Sequence, residues 1–407
     1  MNAYTELCLD FPAEIETIRG EAHEFANEIV RPAAIKLDGM SSSGATTAAD
    51  SPLREVLKAA YGLGYHRAAI PEGLGGLGLS GLGLHSLFEE LGWGSAGIAI
   101  SLAASMLPAQ AALADGRAQI VDAFVREFAA NRDASWIGCW ALSEPRHGSD
   151  HFMVGTREFR YPAPDSQLVA RPDGDHFILD GRKASWVTNG GIATHALCSV
   201  LIEHSRSSHS FVVVPLELAG VTRGEAPFKI GQREMNQGAL FFENVRIPHE
   251  LMLKGQGYEQ EVERLLALAH STLAAIMTGT ARAAYEEALK HSKQRRQGGS
   301  RICDHQVVQQ SLFEMFTRVE ASRALSRAAM IYNRGAKPVS METAIAAKIF
   351  CTRGAFEVAN RAVQIFGADG FSKGNLIEKL FRDARVSLVE EGVNEALEIA
   401  GALRLIQ

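Results

Sequence analysis

The sequence has no closely spaced cysteine pair: Cys8, Cys139, Cys198, Cys303 and Cys351 are scattered over 407 residues. That spacing excludes a disulfide scaffold and a cysteine-based metal knot, so these are read as reduced core thiols and no metal is expected. Proline is also scarce, at 13 residues, and 46% hydrophobic against 22% charged content excludes a largely disordered chain. Positive charge is not in excess. A formal net charge of -6 with Lys and Arg spread along the chain gives no basic field for collecting nucleic acid. The first residues, MNAYTELCLDFPAEIETIRG, lack a basic segment followed by a continuous apolar run, so no secretion signal is read and a cytoplasmic location is expected. Charge-free apolar runs are short except for an Ala-rich stretch at residues 96–114. It contains Ser, Gln and Pro, and is read as a buried helix rather than a membrane span.

What is present is enough chain for two or three packed units. Apolar residues recur at three- and four-residue spacing through the first third, as in LHSLFEELGW at residues 84–93, which marks amphipathic helices. Between about Trp136 and Pro248 the pattern changes to short β-branched or apolar runs, HFILDG, HALCSVLI and SFVVVPL, separated by turn signals such as Asp173-Gly174. From Gly257 onward long periodic segments return, and a four-helix bundle is their natural packing. The expected division is a helical domain at 1–134, a β domain at 135–250 and a helical bundle at 251–407, an α+β architecture.

One motif points elsewhere. Gly73-Leu74-Gly75-Gly76-Leu77-Gly78 satisfies the GxGxxG pattern of a dinucleotide phosphate loop. No acidic residue lies between Glu90 and Asp115 to take a ribose, and no strand-helix-strand alternation surrounds the glycines, so a glycine-rich turn is the better reading.

Residues 141–150, ALSEPRHGSD, resemble the acyl-CoA dehydrogenase signature of a small residue, an aliphatic, Ser/Thr, Glu, two variable positions, a small residue, Gly, Ser/Thr and Asp; His147 replaces the small residue and Met153 a later one. Residues 364–383, QIFGADGFSKGNLIEKLFRD, are similar to a second segment of that family, with Ala368 at its second glycine and Gly374 at an acidic position. PEGLGGLGLS at 71–80, KASWVTNGG at 183–191 and FFENVRIP at 241–248 match in the family's order. The resemblance spans nearly the whole chain. It implies an N-terminal helical domain, a β-barrel-like middle domain and a C-terminal four-helix bundle, assembled as a homotetramer with FAD at subunit interfaces. It also implies an acyl-CoA substrate and electron-transfer flavoprotein as electron acceptor, with no membrane insertion.

A flavin needs a flat apolar wall, hydrogen-bond donors at its polar edge and anion-binding groups for its pyrophosphate. By resemblance Trp140, Leu142 and Ser143 run along the isoalloxazine, Trp186 and Thr188 form the stacking wall and the hydroxyl near N5, and Ser149 meets phosphate. Outside this context Trp186 would read as a core aromatic and Ser149 as a turn cap. Arg295 falls where the family has an arginine reaching the pyrophosphate of a neighbouring subunit, and Gln364 and Gly367 where the partner chain meets the adenosine half. Gly298 and Val393 depart from the family's usual Phe and Thr.

Removing a proton α to a thioester needs a base poised near neutrality, which a desolvated carboxylate supplies. VEEGVNE at 389–395 resembles the segment that carries the family's base and puts that role on Glu391, on a late helix, with Glu390 at an aromatic position. Some branches carry the base on an earlier bundle helix, but LLALAHST at 265–272 has no carboxylate; it has His270 where many members have an Arg beside the substrate. His270 is a candidate pocket residue, or a hydrogen-bonded core histidine. Residues 157–167 look like an insertion. The implied reaction is α-proton abstraction by Glu391 with β-hydride transfer to flavin N5. The rivals are a flavin oxidase or monooxygenase of the same fold and a catalytically silent subunit of a mixed oligomer.

Overall fold

The computed structural model describes residues 11–156, 159, 166–203, 209–254, 257–335 and 337–406. Of the expected insertion, only Phe159, Ser166 and Gln167 fall among the described residues.

The first third is helical: α1 (Ala13–Phe25), α2 (Arg31–Asp38), α3 (Pro52–Gly62), α4 (Gly81–Gly94), α5 (Ala96–Asp115), α6 (Ala118–Ile120) and α7 (Glu127–Ala130). Serines start the helices that matter here. Ser80 Oγ accepts from Gly83 N at 3.2 Å before α4, and Ser95 Oγ accepts from Ile98 N at 3.3 Å before α5, each satisfying a donor that a helix start leaves open. Both helices are buried almost all round, so the Ala-rich stretch is a core helix of the protein. The glycine-rich stretch forms a tight turn after a one-turn helix at Glu72–Leu74, with no strand before it among the described residues. A Cβ on Gly76 would lie 1.8 Å from the Ile70 carbonyl oxygen, so the glycine serves close backbone packing.

Seven strands follow: β1 (Gly138–Ala141), β2 (Leu168–Asp173), β3 (His176–Thr188), β4 (His195–Ile202), β5 (His209–Pro215), β6 (Val221–Arg223) and β7 (Gln237–Pro248). They make one mixed sheet in the order β1-β4-β2-β3-β7-β6, with β5 on the free side of β4. The barrel-like middle domain expected from the resemblance is instead an open sheet. β4 pairs in parallel with β1 along its first half and with β2 at its end, and among the described residues no ladder joins β6 back to β1 or β5. The β3–β7 register shifts between Lys183 and Val187, which pushes Ala184, Ser185 and Trp186 off the ladder. β1 lies against α5 at Gly138, where a Cβ would meet the Ser105 carbonyl oxygen at 2.3 Å.

The last third is α8 (Tyr258–Gln294), α9 (Gln306–Gly335), α10 (Met341–Phe366), α11 (Leu376–Val386) and α12 (Asn394–Ile406). α8 is the central column of the bundle and meets α4 at two glycines: a Cβ on Gly92 would lie 2.1 Å from the Ile276 oxygen, and one on Gly279 1.9 Å from the Glu89 oxygen. Beside that contact, buried acids bind buried arginines across three helices. Glu90 takes Arg282 Nη1 at 2.9 Å, and Glu89 takes Arg323 Nη2 at 2.7 Å. Paired in this way the charges fix how α4, α8 and α9 sit against one another.

Candidate active site

A cavity of about 1130 Å³ opens where the helical thirds meet the sheet. One wall is apolar. On α5, Ile100, Ala103, Ala104, Leu107 and Gln110 recur at helical spacing along it, and Leu273 and Ile276 of α8 face them. The opposite wall comes from the sheet. Trp140 and Leu142 at the end of β1 line it, as do Ser143, Ser149, Thr188 and the displaced Trp186, a residue 60% exposed. A volume at the upper end for small-molecule sites, apolar on one side and polar on the other, suits a flat ring system lying beside an acyl chain.

The sheet wall is held by a buried ion pair. Lys183 Nζ donates to Glu144 Oε1 at 2.7 Å, both side chains being fully buried, and to the Leu142 carbonyl at 3.4 Å. Glu144 also accepts from Ser166 Oγ at 3.1 Å and from the Gln167 and Leu168 backbone amides. Burial alone would raise the Glu144 carboxyl, but Lys183 and these donors hold it below the usual range. The ALSEPRHGSD turn is thereby fastened to β2 and β3. Ser149 Oγ accepts from Val393 N at 3.2 Å, which joins the same turn to the far side of the cavity.

That far side carries Glu390 and Glu391. They do not lie on a helix, as the sequence reading had them, but in the turn between α11 and α12. Glu391 has φ +50° and Gly392 φ +92°, so the chain cannot continue as a helix there. Two side chains from other helices fix this backbone: His270 Nε2 donates to the Glu391 carbonyl at 2.9 Å, and Lys348 Nζ donates to the Gly392 carbonyl at 2.7 Å. Both carboxylates line the cavity. Burial pushes Glu391 up to about 7, and the Lys348 charge opposes that rise. Glu390 is likewise pushed up to about 7 by burial, against a hydrogen bond from Gln232 Nε2 at 2.9 Å and the nearby Lys229 charge.

The cavity therefore brings together Trp140, Leu142, Ser143, Ser149, Trp186, Thr188 and Glu391. His270 is not in its lining. It is fully buried, its ring held neutral by burial with a pKa near 3, and it touches the site through the Glu391 backbone. Arg295, Gln364 and Gly367 also lie outside the cavity, exposed at the ends of α8 and α10, where His291 and Phe366 stack at 4.0 Å. The sequence reading missed Lys183, Lys229, Gln232 and Lys348. Only Lys183 carried a local signal, as the first residue of KASWVTNGG; the others reach the site by tertiary packing.

Sequence profiles of the acyl-CoA dehydrogenase N-terminal, middle and C-terminal domains match residues 12–132, 139–245 and 255–405. The mitochondrial short-chain specific acyl-CoA dehydrogenase of Rattus norvegicus is 30% identical over 403 residues, covering 97% of this chain and 91% of that protein. The chain belongs to the acyl-CoA dehydrogenase family. Cyclohexane-1-carbonyl-CoA dehydrogenase of Geobacter metallireducens is 26% identical over 402 residues, 97% of this chain and 98% of that one. Butyryl-CoA dehydrogenase from Megasphaera elsdenii superposes with a TM-score of 0.87 at 25% identity, covering 98% of this chain and 100% of that chain.

Members of this family are FAD-binding oxidoreductases, and the residues present fit that cofactor. Trp186 offers an exposed aromatic face at the sheet wall, and Ser143 and Thr188 bring hydroxyl-bearing side chains to the same lining.

Proposed function

We propose that this acyl-CoA dehydrogenase family member forms the α,β double bond of an acyl-CoA thioester, with Glu391 as the base. The observation that carries this reading is Glu391 itself: a carboxylate on a clamped turn, facing the cavity, with its affinity for protons raised to about 7. A base of that strength is partly ionised at neutral pH and still accepts a proton readily. The apolar α5 and α8 wall would hold the acyl chain across from Trp186 and Thr188, with the α carbon towards Glu391. Trp140, Leu142, Ser143, Trp186 and Thr188 would hold FAD, which would supply a hydride acceptor. Loss of the α proton puts enolate-like charge on the thioester carbonyl, which donors in a partly desolvated cavity stabilise. Electron-transfer flavoprotein is the proposed acceptor for the two electrons, docking transiently.

The test is anaerobic mixing of the purified holoenzyme with a panel that includes butyryl-CoA and cyclohexane-1-carbonyl-CoA. Bleaching of the visible flavin absorbance by at least one thioester is the expected result. A flavin that no thioester bleaches but that oxygen reoxidises rapidly after chemical reduction would favour an oxidase, and failure to retain FAD would favour a silent subunit.

A further inference from the structure

We propose that Lys348 is a positioning residue for this reaction: it holds the turn that carries Glu391 and sets a buried positive charge behind that carboxylate. The inference rests on the reading of Glu391 as the base.

Lys348 lies on α10 with no exposed surface. Its Nζ has two hydrogen-bond acceptors, the Gly392 carbonyl and Asn394 Oδ1, each at 2.7 Å, and Asn394 is itself oriented by Nδ2 donating to Thr352 Oγ1 at 3.0 Å. Both acceptors are neutral, and among the described residues no carboxylate makes a direct ion pair with Lys348. A buried ammonium is costly unless a nearby negative charge compensates it. A neutral donor would pin the Gly392 carbonyl as well, so the charge requires its own explanation. The carboxylates it feels are Glu390, Glu391 and Glu395, the first two lining the cavity. Burial lowers Lys348 to about 8, which still leaves it mostly protonated at neutral pH.

The other groups around Glu391 do not replace this charge. His270 on α8 touches its carbonyl but is neutral. Glu390 next to it is acidic and would raise its proton affinity. Lys229 before β7 answers Glu390 and donates to the Met235 carbonyl and Gln237 Oε1 at 2.8 and 3.0 Å. Arg385 on α11 and Arg146 and His147 of the signature turn line the cavity, and Glu395 on α12 acts on Lys348 rather than on Glu391. Among the described residues Lys348 is the positive charge that acts on the Glu391 carboxyl.

The experiment follows the pH dependence of anaerobic flavin reduction by butyryl-CoA or cyclohexane-1-carbonyl-CoA, together with an infrared difference titration of the Glu391 carboxyl band. That band is identified by its loss in Glu391→Gln. Without the Lys348 charge the Glu391 pKa rises further, so in Lys348→Met the acid limb of the profile and the infrared midpoint should both move up by about 1 pH unit or more. Lys348→Arg keeps the charge and should keep the midpoint, whatever it does to the rate. Should Lys348→Met not fold, Lys348→Gln, which retains a donor for Gly392 but no charge, carries the same test. A midpoint unmoved in the uncharged variant, with only the rate reduced, means that Lys348 is structural and overturns the proposal. If Glu391→Gln reduces normally the base reading fails instead, and the infrared titration still decides the effect of Lys348.

Discussion

Lys183 and Glu144 show how much one buried pair can decide. With both side chains fully buried, replacing Lys183 by Met leaves a carboxylate with no counter-charge under the sheet wall of the cavity. Such a change costs about 3–5 kcal/mol, and a thermal melt of Lys183→Met should show a clear fall in Tm; an unchanged melt would mean that the pair contributes nothing. The pH dependence has a definite sign. Glu144 is held below its unfolded value of about 4.3, so its contribution is complete above that pH and is lost as pH falls through the lower folded value. The wild type should therefore lose stability on acidification below about pH 4 more steeply than Lys183→Met does. Much at this scale was legible in the sequence, since the signature residues and the Glu-Gly pair at 391–392 stand in short contiguous motifs. What was not legible is the turn that presents Glu391. Its positive φ depends on His270 and Lys348, which lie on helices far away in sequence, and a late Glu-Glu pair read locally looks like a helix face.

Among the elements, the α4–α8 crossing is the most sharply specified. Gly279→Ala would drive a methyl group to within 1.9 Å of the Glu89 carbonyl oxygen and 2.6 Å of Trp93 N, so the two helices must separate. Overpacking of this kind costs about 1–3 kcal/mol, and because α4 and α8 both line the cavity, substrate affinity should fall together with Tm. Ala at 279 with wild-type stability would show that the crossing can relax freely. The order helix, strand, helix was readable from periodicity, because each period repeats within one segment. Sheet closure was not. It is decided by which strands pair across long separations, and here β4 spends its second edge on β1 and β2 in parallel, leaving the sheet open.

For the whole molecule, the separation of Arg295, Gln364 and Gly367 from the cavity is the main consequence of the fold. All three are exposed at neighbouring helix ends, and we propose that they meet cofactor held in another subunit. On the proposed interfacial site, Arg295→Ala removes a charge-assisted contact of about 1.5–3 kcal/mol and should weaken FAD binding by about 10- to 150-fold, with native mass still that of an oligomer. An unchanged FAD dissociation constant, or a monomer with full FAD occupancy, would remove Arg295 from the site. The central claim is the identity of the base, and stopped-flow reduction of Glu391→Gln beside Glu390→Gln tests it most directly. The substitution is nearly isosteric, so the protein should fold and retain FAD while losing its proton acceptor. Flavin reduction should slow by at least about a hundredfold in Glu391→Gln and far less in Glu390→Gln, whose side chain is tied back to Gln232. Reduction of Glu391→Gln within about fivefold of wild type, with Glu390→Gln severely slowed, would contradict the account and move the base to Glu390.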